Sequence, residues 1–300
     1  RGLAFRPSQI VWLRGQSFYG EQGIFGEPFL RFLADFRLPD YHLAEGEDGQ
    51  FILEFAGKWA HTTLWEIYAL EIISELRHRA IMRSMNRSQL DIMYARAKVK
   101  LYDKLIRLRH VPDINLTDFG TRRRHSHLWQ EHCILTAREV IGAGFTGTSN
   151  AFFAMKHDLE ARGTNGHELP MVLAALATGD EALKAAQYEV LEQWQELYDV
   201  PALKILLPDT FGTTQFLRDA PEWVRHWTGG RPDSKHPIAG GEELITFWQR
   251  TDPAHVRDKL IVFSDGMDVH LPGTPAHGED IPAVAAHFHG RVRLGFGWGT

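Results

Sequence analysis

The chain has 300 residues, of which 44% are hydrophobic, and its 33 basic and 38 acidic residues give a net charge of −5. This composition predicts a globular protein with a substantial core, and the acidic balance argues against sequence-independent binding of nucleic acid. The sequence has no run of about 18 apolar residues and no signal-peptide pattern, and its single cysteine, Cys133, excludes internal disulfides. We therefore expect a cytoplasmic protein without a membrane span.

The first 60 residues are expected to form a small α+β domain. Apolar spacing predicts a helix over 27–36, and alternating polarity predicts a strand over 50–55. A broad apolar face then predicts a long helix over 65–82, and a second one, rich in Ala, Lys and Arg, is predicted over 88–108. We expect these two helices to link the first domain to a second one.

Beyond residue 110, predicted helices alternate with short apolar runs, and polar turns follow the runs, as at Asp209 and Ser264. This pattern is typical of an α/β barrel whose site lies at the carboxyl ends of its strands. The predicted helices cover 129–141, 151–159, 169–177 and 181–197, and the strand-like runs cover 202–207, 259–263 and 291–294. The predicted units are an N-terminal domain over 1–60, linking helices over 61–110 and a barrel over 111–300. We expect 268–281 to be a surface excursion without chemistry.

Two Gly-Thr pairs begin polar loops on either side of the helix predicted at 151–159. The first loop is Gly147-Thr148-Ser149-Asn150, and the second is Gly163-Thr164-Asn165-Gly166-His167-Glu168. The second loop concentrates a hydroxyl, an amide, an imidazole and a carboxylate, which a plain turn does not require. The alternative is a solvated connection whose glutamate caps the next helix.

Two glycine turns present arginines. Phe119-Gly120-Thr121-Arg122-Arg123-Arg124 places guanidinium groups, which suit phosphate or carboxylate, beside an aromatic ring suited to stacking. Arg231-Pro232-Asp233-Ser234 follows a second glycine turn. A solvated basic turn with one ion pair remains the alternative for the first of them.

Carboxylates recur at the predicted strand ends. They are suited either to hold Mg²⁺ through water molecules or to bind ribose hydroxyls. The alternative is that they cap the following helices. The carboxylates are Asp209, Asp233, Asp265 and Asp268. Glycines at 295–299 would let backbone N–H groups approach a phosphate.

Metal ligation and nucleophilic catalysis by serine or cysteine are not expected. The pairs His125/His127 and His287/His289 lack an ordered set of further ligands at strand ends. Cys133 lies in an apolar helix, and the sequence has no Gly-x-Ser-x-Gly elbow.

Six motifs in order resemble nicotinate phosphoribosyltransferase, in particular its bacterial form. They are Phe-Gly-Thr-Arg-Arg-Arg at 119, Gly-Thr-Ser-Asn at 147, Gly-Thr-x-x-His-Glu at 163, Arg-x-Asp-Ser at 231, Phe-Ser-Asp at 263 and Phe-Gly-x-Gly-Thr at 296. The resemblance covers nearly the whole chain. It implies an irregular α/β barrel of the type II phosphoribosyltransferase kind beside a smaller α+β N-terminal domain, and a homodimer with a shared site.

The implied reaction joins nicotinate to phosphoribosyl pyrophosphate, giving nicotinate mononucleotide and pyrophosphate in NAD salvage. ATP hydrolysis is expected to drive it with Mg²⁺, through phosphorylation of His167. A neutral imidazole is a competent phosphoryl acceptor, and Glu168 or a nearby carboxylate would orient its ring.

The resemblance also assigns roles to residues of the other motifs. Phe119 would stack on the pyridine ring, and Thr164 would bind nicotinate by a hydrogen bond. Asp209 and Asp233 would hold the ribose or Mg²⁺. The remaining candidates for substrate binding are the anion-binding Arg122 and Arg231, the motif residues Thr148, Ser149 and Ser264, and Gly297, Gly299 and Thr300 at the 5′-phosphate.

Departures from the family pattern leave rivals open. An N-terminal Asp-x-Tyr-Lys-like segment and the strands after the last Gly-Thr are missing, so both ends are expected to be truncated. Lys235-His236-Pro237 replaces the usual Gly-Asp-Pro. Ser149, where nicotinamide-using relatives tend to have an Asp, favours nicotinate. The rival of the same class is a phosphoribosyltransferase that uses nicotinamide or another pyridine, and rivals of another class are a metal-dependent barrel hydrolase and an inactive phosphate-binding fragment.

Overall fold

The computed structural model describes residues 4–299, and its N-terminal part combines short helices with two antiparallel hairpins, β1–β2 and β3–β4. The helix predicted over 27–36 and the strand predicted over 50–55 are confirmed, whereas β1, β2 and β3 were not anticipated. The elements are α1 (Pro7–Gly15), β1 (Ser17–Phe18), β2 (Glu21–Gln22), α2 (Glu27–Asp35), β3 (Tyr41–Glu45), β4 (Phe51–Phe55) and α3 (Trp59–Thr62).

Two long helices follow, as predicted: α4 (Trp65–Met82) and α5 (Arg87–Arg109). The side chain of Asn86 accepts a hydrogen bond from Gln89 N at 3.0 Å, and the Gln89 side chain returns one to Asn86 N at 2.9 Å. This reciprocal cap satisfies two backbone donors that the first turn of α5 would otherwise leave unpaired.

The rest of the chain alternates strands with helices. The strands are β5 (Leu116–Asp118), β6 (Phe145–Thr148), β7 (Ile205–Leu206), β8 (Gly229–Gly230), β9 (Leu260–Phe263), β10 (Met267–Asp268), β11 (Glu279–Asp280) and β12 (Arg293–Trp298). The helices are α6 (His127–Ile141), α7 (Ala151–His157), α8 (Glu168–Leu176), α9 (Asp180–Leu197), α10 (Thr213–Asp219), α11 (Pro237–Thr251) and α12 (Ile281–Phe288). All four helices predicted here are confirmed.

Six of these strands form one parallel sheet in the order β6-β5-β12-β9-β8-β7. A bridge between Thr148 and Ala161 extends its β6 edge by one segment. Within residues 4–299 no strand ladder joins that edge to β7, so the barrel is irregular and its hydrogen-bonded sheet remains open. The predicted α/β class is confirmed.

Three sequence interpretations change because glycine-rich segments form parts of strands. The segments 145–148, 229–230 and 295–298, predicted as loops or turns, belong to β6, β8 and β12. A Cβ at Gly147, whose φ is +138°, would lie 2.2 Å from the carbonyl oxygen of Glu160. Glycine is therefore required there for the 160–162 segment to approach β6. The segment 268–281, predicted as an excursion, contains the last residue of β10 and the whole of β11, and these two strands pair in parallel.

The main core lies between the sheet and its helices. It is built from fully buried side chains such as Ile261, Phe263, Trp227, Trp248 and Phe288. A smaller cluster of Phe18, Ala154 and Ala161 joins β1 to the segment that follows α7. Burial of these apolar groups, at about 25 cal/mol per Å², holds the N-terminal part against the barrel. None of the helices described is both long and apolar enough to cross a membrane.

Candidate active site

Most of the predicted site residues lie at one edge of the parallel sheet. Ser149, Phe119, Gly299, Ser264 and Arg231 each follow directly after the last residue of a strand. Because all six strands run in the same direction, their carboxyl ends meet at that edge. Asp209 follows β7 after two further residues, Leu207 and Pro208. These predicted residues therefore lie at the carboxyl ends of the strands, as their positions after apolar runs indicated.

The segment 163–168 crosses the open side of the sheet and brings His167 to Asp209. His167 Nε2 lies 2.8 Å from Asp209 Oδ1, and the other carboxylate oxygen accepts a hydrogen bond from Ser234. Burial opposes ionisation of Asp209, but the bonds from His167 and Ser234 outweigh it and lower the pKa of its carboxyl. An ionised Asp209 can only accept, so Nε2 carries an N–H, and in the neutral imidazole the lone pair is then on Nδ1.

A second carboxylate, Asp233, is held beside this pair. Its Oδ1 accepts a hydrogen bond from Ser264 Oγ at 2.8 Å, and its Oδ2 lies 3.5 Å from Arg231 Nη1 and 4.0 Å from His167 Nδ1. Arg231 also donates to Ser264 Oγ at 3.3 Å and to the carbonyl oxygen of Asn165 at 3.2 Å. We call His167, Asp209, Arg231, Asp233 and Ser264 the histidine cluster.

Several buried polar atoms beside the histidine cluster have no hydrogen-bond partner within residues 4–299. They are Arg231 Nε, Asn165 Oδ1 and Thr210 Oγ1. Buried polar groups normally find partners, because a buried donor or acceptor without a hydrogen bond costs about 1–3 kcal/mol. The cluster therefore has donors and acceptors to offer a bound molecule, and His167, whose side chain is 33% exposed, is accessible to one.

The β5 and β6 strand ends carry a different polar group, which we call the buried network. Asp118, 3% exposed, accepts hydrogen bonds from Thr148 Oγ1 at 2.7 Å, Gln130 Nε2 at 2.9 Å and Gly120 N at 3.1 Å. Gln130 also donates to Thr121 Oγ1 at 3.0 Å. Burial raises the pKa of Asp118 against these hydrogen bonds. Every oxygen of this carboxylate is used inside the protein.

Phe119 packs directly on β12. Its backbone N–H donates to Trp298 O at 2.8 Å, and a Cβ at Gly297 would lie 2.6 Å from its ring. Gly297 is thus needed for this ring to lie over the strand. A Cβ at Gly299 would meet nothing within 4 Å, so the space beyond that residue is open. The predicted phosphate contact Thr300 lies outside the described residues.

A sequence model of the nicotinate phosphoribosyltransferase (NAPRTase) family matches residues 114–300, and one of the N-terminal domain of the same family matches residues 1–74. The chain belongs to the nicotinate phosphoribosyltransferase family. This membership confirms the resemblance seen in the six motifs.

Solved structures with this family's name are similar over nearly the whole chain. The nicotinate phosphoribosyltransferase from Vibrio cholerae matches at 28% identity with a TM-score of 0.82, over 99% of this chain and 66% of that one. The nicotinate phosphoribosyltransferase from Porphyromonas gingivalis matches at 24% identity with a TM-score of 0.76, over 99% and 75% respectively, and it supports the fold alone.

The structure separates two predicted residues from the roles that the family resemblance implies. Arg122, predicted to meet an anion, pairs with Glu66 of α4 on the surface. Glu168 does not orient the histidine ring, because its carboxylate accepts hydrogen bonds from Trp59 Nε1 at 2.8 Å and Thr63 Oγ1 at 2.5 Å. Asp209 takes the orienting position instead.

Other members of the predicted set lie at the edge with few contacts or with internal ones. Thr148 is fully buried and its hydroxyl is used by Asp118, so it supports the loop and does not face a ligand. Ser149 is exposed, and its backbone N–H donates to Asp118 O at 2.8 Å. Thr164 is half-buried, with its hydroxyl 3.3 Å from Asn165 O.

Sequence reasoning missed Asp118, Gln130 and Asn165. Asp118 had a usable signal, since it is a carboxylate that ends an apolar run immediately before the Phe-Gly turn. Gln130 had none, because a single amide in a helix is ordinary, whereas Asn165 belongs to the polar loop 163–168 without having been named as a site residue.

The carboxylates of the cluster do not make a resident metal site. All four oxygens of Asp209 and Asp233 already face a donor: His167, Ser234, Ser264 or Arg231. Within residues 4–299 there is no group of three or more His, Cys, Asp or Glu side chains that could hold a metal. The two histidine pairs are apart from the cluster: His125 contacts Tyr94, and His287 contacts Glu242.

Proposed function

We propose that this chain transfers the phosphoribosyl group of phosphoribosyl pyrophosphate to nicotinate, giving nicotinate mononucleotide and pyrophosphate. The observation that carries the proposal is the histidine cluster, which lies inside the matched family segment and at the carboxyl edge of the sheet. The chain spans about two thirds of the Vibrio relative, which is why the activity is a proposal for this chain.

The chemistry of the transfer fits the charges at this edge. Breaking the bond from the ribose C1 to pyrophosphate builds positive charge on the sugar and negative charge on the leaving group. Arg231 is suited to the anionic partner, and Asp233 beside it is suited to the ribose. We further propose that Phe119 stacks on the pyridine ring, that Thr164 and Ser149 contact nicotinate, and that Gly297 and Gly299 approach the 5′-phosphate.

ATP coupling through His167 is the second part of the proposal. With the N–H on Nε2 held by Asp209, the lone pair on Nδ1 can attack the γ-phosphorus of ATP. The bond from that phosphorus to the bridging oxygen breaks, a P–N bond forms, and ADP leaves. Water later cleaves the P–N bond and releases phosphate. Asp209 supports this role by fixing the reactive nitrogen.

Mg²⁺ belongs to the proposal as the counter-ion of the phosphate substrates. Protein-bound Mg²⁺ is usually held by one or two carboxylates together with substrate phosphates. Such an ion would arrive with the substrate, because the cluster by itself does not form a metal site. No step is assigned to it.

A homodimer with a shared site is also proposed. Exposed apolar side chains on α5, namely Ile92, Val99 and Ile106, support a subunit contact there. Sedimentation of the purified protein would test it.

The test of function combines turnover with labelling. Purified protein is given labelled nicotinate and phosphoribosyl pyrophosphate, with and without ATP, and nicotinamide replaces nicotinate in a parallel reaction. We expect nicotinate mononucleotide to form, faster with ATP. Incubation with γ-labelled ATP should place acid-labile, base-stable label on the peptide that contains His167.

The variant His167→Ala should lose stimulation by ATP while keeping slow ATP-independent transfer. His255→Ala is the matched control, because its imidazole also contacts an aspartate, with Nδ1 2.6 Å from Asp252 Oδ1, but away from the sheet edge. Full ATP stimulation in His167→Ala would exclude the phosphohistidine, and absence of any product in the wild type would exclude the transfer itself.

A further inference from the structure

The segment 163–168, which carries Thr164 and His167, is attached at both ends to side chains of the N-terminal part. At one end the Tyr19 hydroxyl is 2.5 Å from Gly163 O and accepts a hydrogen bond from Gly163 N at 2.7 Å. At the other end Glu168 accepts hydrogen bonds from Trp59 and Thr63. Residues more than a hundred positions away in sequence therefore hold the loop of the histidine cluster.

Tyr19 is placed for this contact by an unfavourable turn. Tyr19 and Gly20 form the two-residue connection between β1 and β2, and both have positive φ, +54° and +85°. Such turns favour Asn, Asp or Gly at the first position, and a bulky residue with positive φ persists only where surrounding contacts hold it. The conformation points to a role for this side chain beyond the turn.

Tyr19 is also contacted by Glu160 and Arg162, which lie just before the loop 163–168. Its backbone N–H donates to Glu160 Oε1 at 2.5 Å, and the Arg162 guanidinium lies 4.7 Å from the centre of its ring. Arg162 in turn donates from Nε to Thr146 O at 3.1 Å and pairs with Glu160. The loop is thus fixed to β6 on one side and to the β1–β2 turn on the other.

The second anchor fixes the end that carries the histidine. Glu168 is the first residue of α8 and directly follows His167, so its position along the chain sets that of the imidazole. A carboxylate in the first turn also suits the positive end of the helix. Both oxygens of Glu168 are used, one by Trp59, the first residue of α3, and one by Thr63, which directly follows α3.

We propose that Tyr19 and Thr63 are positioning residues that hold the loop 163–168 so that His167 meets Asp209, and that they act on the turnover of the bound complex. This inference rests on the proposed function. Neither side chain contacts Arg231 or Asp233, so the affinity for phosphoribosyl pyrophosphate should depend on them little. A misplaced loop should slow the chemical step, because reaction rates fall steeply with small errors of alignment.

The test uses Tyr19→Phe and Thr63→Val, which remove one hydroxyl each and keep the rest of the side chain. Each should lower the ATP-stimulated kcat by about 10-fold, with the KM for phosphoribosyl pyrophosphate within about twofold of wild type. Tyr188→Phe is the matched control, because its hydroxyl also donates to a backbone carbonyl, Phe216 O at 2.8 Å, away from the loop. It should leave kcat unchanged.

Hydrogen exchange of the whole protein supplies a readout that needs no turnover. Backbone amides of 163–169 should exchange about fivefold faster or more in Tyr19→Phe and Thr63→Val and at the wild-type rate in Tyr188→Phe. Unchanged exchange in both loop variants would overturn the proposal, and so would faster exchange with an unchanged kcat. If the wild type made no product, the proposed function would fail, whereas the exchange rates would still decide whether these hydroxyls hold the loop.

Discussion

The two halves of the sheet edge use the same kinds of side chains in opposite ways. In the buried network, Asp118 is 3% exposed and Gln130 and Thr148 are fully buried. In the histidine cluster, His167 is 33% exposed and Asp233 19% exposed. Each half also has a largely buried arginine: Arg124 pairs with Glu71 at 3.0 Å, and Arg231 lies beside Asp233.

The two halves differ in whether their polar groups remain accessible to a ligand. The carboxylate of Asp118 binds three internal donors, and Arg124 binds α4 through Glu71 and Glu75. Arg231 lies beside Asp233 and next to the accessible imidazole of His167. We therefore expect changes in the first half to reduce stability and changes in the second half to reduce activity.

The largest effect is expected for Arg124→Ala. Removing this guanidinium leaves the largely buried Glu71 carboxylate without a cation, whereas Glu75 keeps its ion pair with Arg79, and the free energy of unfolding should fall by about 3–5 kcal/mol. Urea denaturation followed by circular dichroism measures it. An unchanged midpoint would mean that Arg124 is not structural.

Arg231→Ala should instead act on catalysis. Loss of a charge-assisted contact to an anionic substrate group should remove about 2–4 kcal/mol of transition-state stabilisation. This loss lowers kcat/KM roughly 30- to 1,000-fold. Steady-state rates with nicotinate and phosphoribosyl pyrophosphate measure this, and urea denaturation of the same preparation shows whether the fold is kept. Wild-type rates would remove Arg231 from the site and erase the contrast between the two arginines.

The hydroxyls of the two halves can be compared with smaller changes. Thr148→Val removes a donor from the buried Asp118 carboxylate and should reduce the free energy of unfolding by about 1–2 kcal/mol. Ser264→Ala removes the hydroxyl between Arg231 and Asp233 and should change stability less than activity. Chemical denaturation and initial rates of both variants test the contrast, which fails if Ser264→Ala is the less stable of the two.

The smallest effect concerns acid pH, where the two aspartates should behave oppositely. The pKa of Asp209 is lowered from its ordinary value of 3.8, so its stabilising contribution is present above that value and is lost as pH falls through the folded pKa. The pKa of Asp118 is raised by burial, so the fold loses stability as pH rises from 3.8 through the folded pKa.

Unfolding free energies measured from about pH 3 to 7 in the wild type, Asp209→Asn and Asp118→Asn test this sign. The difference between wild type and Asp209→Asn should shrink toward low pH. The free energy of unfolding of the wild type should rise relative to that of Asp118→Asn as pH falls. Parallel curves for both variants would show that these carboxyls do not titrate differently in the folded state.

The sequence predicted well the elements that depend on local patterns. The long helices α4 and α5 were anticipated because helical spacing and composition depend only on neighbouring residues. The strands β6 and β8 were missed because they are short and rich in glycine, and their identity depends on partners such as β9. Arg122 and Arg231 looked equivalent in sequence, and only their surroundings distinguish them.

The sequence by itself determined the family, the α/β class and the order of the motifs, because each depends only on which residues occur and on their order along the chain. The tertiary structure decided which motif residues face one another. It gave His167 the carboxylate of Asp209 and gave Glu168 to Trp59 and Thr63. Those contacts join residues 42, 109 and 105 positions apart, so they arise from packing across the sheet and between domains and not from local spacing.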